Sequence, residues 1–161
     1  MARHDLDPPV TLSIVDRLID EDPKNSAEPP LTRAQSIRIL RASLRRDLEW
    51  LLNSRQTPEL ENGEYKDAER SVYGFGIPDI TSLSLKSIHD QNRLRRAIEK
   101  SLAAFEPRIA GARVQMEVLP STARGIRFHI QGLLRMGVSP EPIAFDTVLE
   151  LPSGQYDVKG T

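Results

Sequence analysis

The sequence predicts an α+β fold in which an antiparallel β-meander packs against two main helices. Three observations carry this. Apolar residues recur at three- and four-residue steps through Ile37, Leu40, Leu44, Leu48 and Leu51, and again through Leu94, Ile98, Leu102 and Phe105. The last third of the chain instead alternates apolar and polar residues. Short connections between extended segments favour antiparallel neighbours, and two amphipathic helices can cover one face of the resulting sheet.

Before the first long helix, Leu12, Ile14, Val15, Leu18 and Ile19 form a stripe of one or two helical turns, too short to fold alone. Residues 20–30 are acidic and proline-rich and bury too little apolar surface to offset their ordering entropy, so they read as a linker. The chain therefore divides into an N-terminal extension and linker at 1–31 and a single domain at 32–161. The apolar handle ahead of the linker can dock on its own domain or on another subunit, and the sequence leaves both open.

The first long helix begins at a capping box, Thr32 with Gln35 three residues on. Arg38, Arg41, Arg45 and Arg46 lie off its apolar stripe, and Asp47 and Glu49 interleave with them, as on a solvated face. Trp50, beside Leu51 and Leu52, is expected to anchor the core. A polar stretch with Pro58 and Asn62-Gly63 follows, then Tyr73-Gly74-Phe75-Gly76-Ile77-Pro78-Asp79. Gly74 and Gly76 permit tight turns, but no Gly-Lys-Ser/Thr ending or third glycine follows and Pro78 blocks a helix. An apolar loop tucked on the core is expected there.

The second long helix is expected to start with Asp90 as N-cap and to stop at Pro107, within Phe105-Glu106-Pro107-Arg108. Three extended segments then follow at 113–119, 125–136 and 142–158, with reversals at 120–125 and 137–140. At the helix stop proline fixes the backbone while two opposite charges need partners. Glu106 and Arg108 can pair inside the domain or face another protein, and residue chemistry alone does not choose.

Composition narrows the function. The 161 residues carry 22 Lys and Arg against 23 Asp and Glu, which gives no field that steers the chain toward a polyanion. With no cysteine and three scattered histidines, His4, His89 and His129, neither a disulfide framework nor a zinc site is expected. No metal or cofactor is expected, nor a nucleic-acid partner, since the basic helix has no aromatics placed for base stacking. The N-terminal residues lack an apolar signal core and no apolar run reaches membrane-spanning length, so a cytoplasmic chain without membrane insertion is expected.

Several pieces, in this order and spacing, carry a resemblance to a known family. They are Ser13-Ile14-Val15-Asp16-Arg17-Leu18, Leu44-Arg45-Arg46-Asp47-Leu48-Glu49-Trp50-Leu51-Leu52-Asn53-Ser54-Arg55, the Tyr73 to Asp79 motif, Leu94-Arg95-Arg96-Ala97-Ile98 with Phe105-Glu106-Pro107-Arg108, and Phe145-Asp146-Thr147-Val148-Leu149-Glu150. Together the chain resembles the TssE family, baseplate subunits of the bacterial type VI secretion system that are similar to the lysozyme-like wedge proteins of contractile-tailed phages. Glu106-Pro107-Arg108 matches the family's signature triplet. The resemblance implies a non-enzymatic wedge subunit of the membrane-docked cytoplasmic baseplate, which helps to initiate polymerisation of the contractile sheath. It implies TssF, TssG and TssK as wedge partners and TssB and TssC as sheath partners, with Glu106, Pro107 and Arg108 as the partner-binding residues and the terminal strand toward the sheath.

Two rival readings remain. A peptidoglycan glycoside hydrolase would need two carboxyl groups, one of them protonated, for which Glu106 with Glu117 or Asp146 are the nominees. Arg108 opposes a protonated Glu106, and no recognisable motif supports either second carboxylate. A regulatory protein-binding adaptor on the same fold is the other reading.

Overall fold

The structure, a computed structural model, describes residues 10, 12–19, 31–57, 66–80, 83–84, 87–119, 125–136, 140–150 and 155–160. The expected linker at 20–30, the Pro58 and Asn62-Gly63 stretch and most of both expected reversals lie outside the described residues.

A short helix, α1 (Ile14–Leu18), precedes the long α2 (Arg33–Asn53). After α3 (Lys66–Glu69) and a single 3-10 turn at Val72–Gly74 comes α4 (Ile88–Phe105), then β1 (Ile109–Val118), β2 (Gly125–Leu134), β3 (Glu141–Glu150) and β4 (Gln155–Gly160). The four strands form one sheet in chain order, each antiparallel to the next. That is the expected meander on two main helices: α4 lies over β1 and α2 over β4.

The expected capping box is present. Gln35 N–H donates to Thr32 Oγ1, and Gln35 Oε1 accepts from Thr32 N–H at 2.9 Å. From that start Leu40, Leu44, Leu48, Leu51 and Leu52 are all buried, and Leu94, Ile98 and Leu102 of α4 meet them over the sheet. Phe128, Ile130, Phe145, Leu149 and Tyr156 close the core from the strand side. The other sheet face is polar, with Glu117 against Arg127 and His129 against Asp146.

Four expectations change. The second long helix is capped by Ser87, whose side chain accepts from Asp90 N–H, so Asp90 sits inside the first turn. Its carboxylate instead accepts from Ser84 N–H at 3.0 Å and lies where the helix dipole favours negative charge. The first strand begins four residues earlier than the alternation indicates, because Gly111 at φ 62° forms a bulge between Ala110 and Arg113 that breaks the period. The third extended segment is two strands, with β4 folded back on β3. Trp50 is 58% exposed rather than in the core: Leu48, Leu51 and Leu52 take the inward directions of the helix and leave Trp50 outside their arc.

Both sheet edges are clipped by a helix. Glu99 of α4 accepts from Val114 N–H on β1 at 3.0 Å. Asn53, the last residue of α2, bonds both backbone groups of Tyr156 on β4, at 2.8 and 3.0 Å. Since backbone groups point alternately inward and outward along an antiparallel strand, Val158 has the same outward direction as Tyr156. Its N–H and C=O have no partner on that side among the described residues, and the residue itself is buried, at 2% exposure.

Candidate functional site

The end of α4 explains the geometry of the Glu-Pro-Arg triplet. Glu106 N–H closes the last helical bond to Leu102, and Pro107, lacking an N–H, prevents another turn. Ile109 N–H then donates to Glu106 O, and Arg108 O accepts from Arg135 N–H at 2.8 Å, which ties the joint to the end of β2. Glu106 is 4% exposed, Arg108 is half-buried and Pro107 faces outward.

A carboxylate this buried needs a fixed counter-charge. Arg108 supplies it through a two-pronged contact, Nε to Oε1 at 2.6 Å and Nη2 to Oε2 at 2.5 Å. The same Nη2 donates to Asp47 Oδ2 of α2 at 2.6 Å, and Nη1 donates to Ser43 Oγ at 3.4 Å. The bonds from Arg108 to Glu106 and then Asp47 outweigh burial and hold its guanidinium above its ordinary, already high pKa, so it is charged at every working pH.

The network continues past Arg108. Asp47 Oδ1 accepts from Nε and Nη2 of Arg46, at 3.0 and 2.9 Å, and Arg46 Nη2 donates to Asp16 Oδ1 of α1 at 2.9 Å. Ser13, the cap of α1, closes the chain by donating to Asp16 Oδ2 at 2.6 Å. Burial opposes ionisation of Asp16, but its bonds from Ser13 and Arg46 prevail and hold the carboxyl below its usual range. Arg46 also lies 5.2 Å over the Trp50 ring. One continuous chain of alternating charge thus joins α1, α2 and the triplet, and it fixes the direction of an exposed tryptophan.

The N-terminal handle therefore docks on its own domain. Val10 N–H donates to the buried Ser36 Oγ at 3.0 Å, and Val10 and Leu12 pack on the core. Ile14 and Leu18 remain turned outward.

Sequence reasoning found the triplet but not Asp47, Arg46, Asp16 or Trp50 as members of the same site. Asp47 was masked by its interleaving with arginines, which reads as a solvated face. The helical arc of the three buried leucines was the available signal for Trp50. The carboxylates nominated for hydrolysis are not brought together: Glu106 lies on the helix side of the sheet, while Glu117 and Asp146 lie on the opposite face, paired with Arg127 and His129.

The family model of the baseplate wedge protein gp25 matches residues 38–138, well over half of the chain. The chain belongs to this family. As a wedge protein it is a structural baseplate component, and the matched span holds Asp47, Trp50 and the whole triplet, with α1 before it and β3 and β4 after it. No curated protein and no solved structure matches the wedge protein. Among its described residues no helix is long and apolar enough to cross a membrane, and no group of three or more His, Asp or Glu side chains is placed to hold a metal.

Proposed function

We propose that this wedge protein is the type VI secretion form of the family, a non-enzymatic cytoplasmic subunit that joins the baseplate wedge and helps to start the contractile sheath. Its wedge partners are TssF, TssG and TssK, and its sheath partners are TssB and TssC. Glu106, Pro107 and Arg108 form the wedge-binding element, with Pro107 presented outward and the buried Glu106–Arg108 pair fixing its direction. The extension at 1–31 joins that surface through α1.

The observation that carries this reading is the charge chain around Arg108. Geometry of this kind suits an assembly contact, because a proline held by a buried two-pronged ion pair loses little conformational freedom on docking. The separation of Glu106 from Glu117 and Asp146 across the sheet supports assembly over hydrolysis. On the sheath side, β4 is an outer strand of the sheet, the position from which strand addition starts.

Gel filtration of the full chain with purified TssF and TssG tests the proposal. Co-elution that Pro107→Glu abolishes, in a variant that keeps the wild-type circular dichroism, supports it, because Pro107 is exposed and lies outside the Glu106–Arg108 pair. Separate elution of wild type and wedge proteins contradicts it.

A further inference from the structure

The Tyr73 to Asp79 motif takes no part in the charge chain, yet it is built to close tolerances. A Cβ on Gly74 would lie 2.0 Å from the Glu69 carbonyl oxygen. Gly76 holds φ at +110°, and a Cβ there would lie 2.5 Å from the Ser54 carbonyl oxygen. Ser101 Oγ donates to Gly76 O at 2.6 Å, Ile77 N–H to Ser54 O at 3.0 Å and Thr57 N–H to Tyr73 O at 3.0 Å. The Phe75 ring meets Phe105 edge-on, with centroids 5.4 Å apart.

This lacing turns Ile77 inward and leaves Val72 89% and Tyr73 69% exposed. Large apolar groups held outward on a rigid loop suit recognition, because little conformational entropy is left to lose on binding.

Beside them opens a cavity of about 190 Å³ lined by Gln56, Gly74, Arg93, Lys100, Ser101 and Phe105. Its charge is one-sided. Glu69, the carboxylate in its wall, is held by Lys100 at 3.0 Å, while Arg93 makes no ion pair or hydrogen bond among the described residues. An incoming group thus meets the Phe105 ring and a guanidinium that no described carboxylate compensates.

We propose that this loop and cavity form a second docking surface, for an acidic protein segment that sets an apolar side chain against Val72 and Tyr73 and a carboxylate on Arg93. Guanidinium and carboxylate match through two parallel N–H···O bonds. A single exposed ring gives no stacking platform for successive bases, which favours a protein segment over a nucleic-acid strand.

The experiment is an NMR titration of the isotope-labelled full chain at low salt. Its probes are short capped peptides with a leucine flanked by glutamates, glutamines or lysines, and a short thymidine oligonucleotide. The glutamate peptide is expected to shift the amides of Tyr73, Gly74, Arg93, Lys100 and Ser101 saturably. Its affinity is expected to fall about ten-fold on Arg93→Glu or Tyr73→Ala, and the glutamine peptide to bind about ten-fold more weakly. Both substituted side chains are exposed, so the variants keep the wild-type amide dispersion. An equal response to glutamate and glutamine peptides, an equal response to the oligonucleotide, or unmoved amides at these residues overturns the proposal.

Discussion

Glu106 is a buried carboxylate with one cation among the described residues, and that cation is shared with Asp47. Removing Arg108 strands Glu106, so Arg108→Ala is expected to cost about 3 kcal/mol of stability. Asp47→Ala leaves the two-pronged pair intact and is expected to cost only about 1 kcal/mol. Urea unfolding of the two variants checks the ratio, and equal losses would mean that Asp47, not Glu106, is the main partner. Arg108→Glu puts three carboxylates together at a half-buried position and is therefore a poor probe of docking, whereas Pro107 is exposed and lies outside the ion pair. Thr147 Oγ1 is buried with no hydrogen-bond partner among the described residues, so Thr147→Val is expected to stabilise by about 1 kcal/mol in the same assay. The triplet was legible at this scale because proline marks a helix end in any sequence. Its partner Asp47 was not, because it stands 61 residues away and only the packing of α2 on the joint brings them together.

Among the elements, α1 depends on its docking, since five residues cannot hold a helix without tertiary contacts. The Asp16–Arg46 bond and the Val10–Ser36 bond anchor it. Asp16 has a folded-state pKa below its unfolded value, so its contribution is present above about pH 4 and is lost as the pH falls through the folded value. Asp16→Asn is accordingly expected to increase hydrogen exchange in α1 at neutral pH while sparing α2, α4 and the sheet. The wild type is expected to approach that α1 pattern as the pH is lowered below about 4, after correction for intrinsic exchange. A pH-independent difference would show that Asp16 is not what pins α1. Long amphipathic elements were readable because their period repeats over many turns. The Ser87 cap and the Gly111 bulge were not, since Ser, Asp and Gly each fit several local geometries and the neighbouring packing selects among them.

For the whole molecule, the α+β meander was legible because two helical periods and a run of alternating strands admit few arrangements in a domain of this size. The fourth strand was missed because residues 142–158 alternate without a recognised break, and the pairing of β4 back on β3 is a tertiary fact. That pairing leaves β4 at an edge of the sheet, with Asn53 bonded to Tyr156 and with Val158 buried. The proposed assembly thus has two separable faces, the triplet and the β4 edge. Proline at 158 disturbs that edge without removing a bond of the β3 ladder, and Val158→Ala controls for lost packing of this buried side chain. The most direct measurement is affinity purification of the tagged chain from its native cell with mass spectrometry, using wild type, Pro107→Glu, Val158→Pro and Val158→Ala as baits. Wild type and Val158→Ala are expected to bring down wedge and sheath subunits, Pro107→Glu to lose the wedge, and Val158→Pro to keep the wedge and lose the sheath. Wild type recovering neither wedge nor sheath subunits would contradict the account.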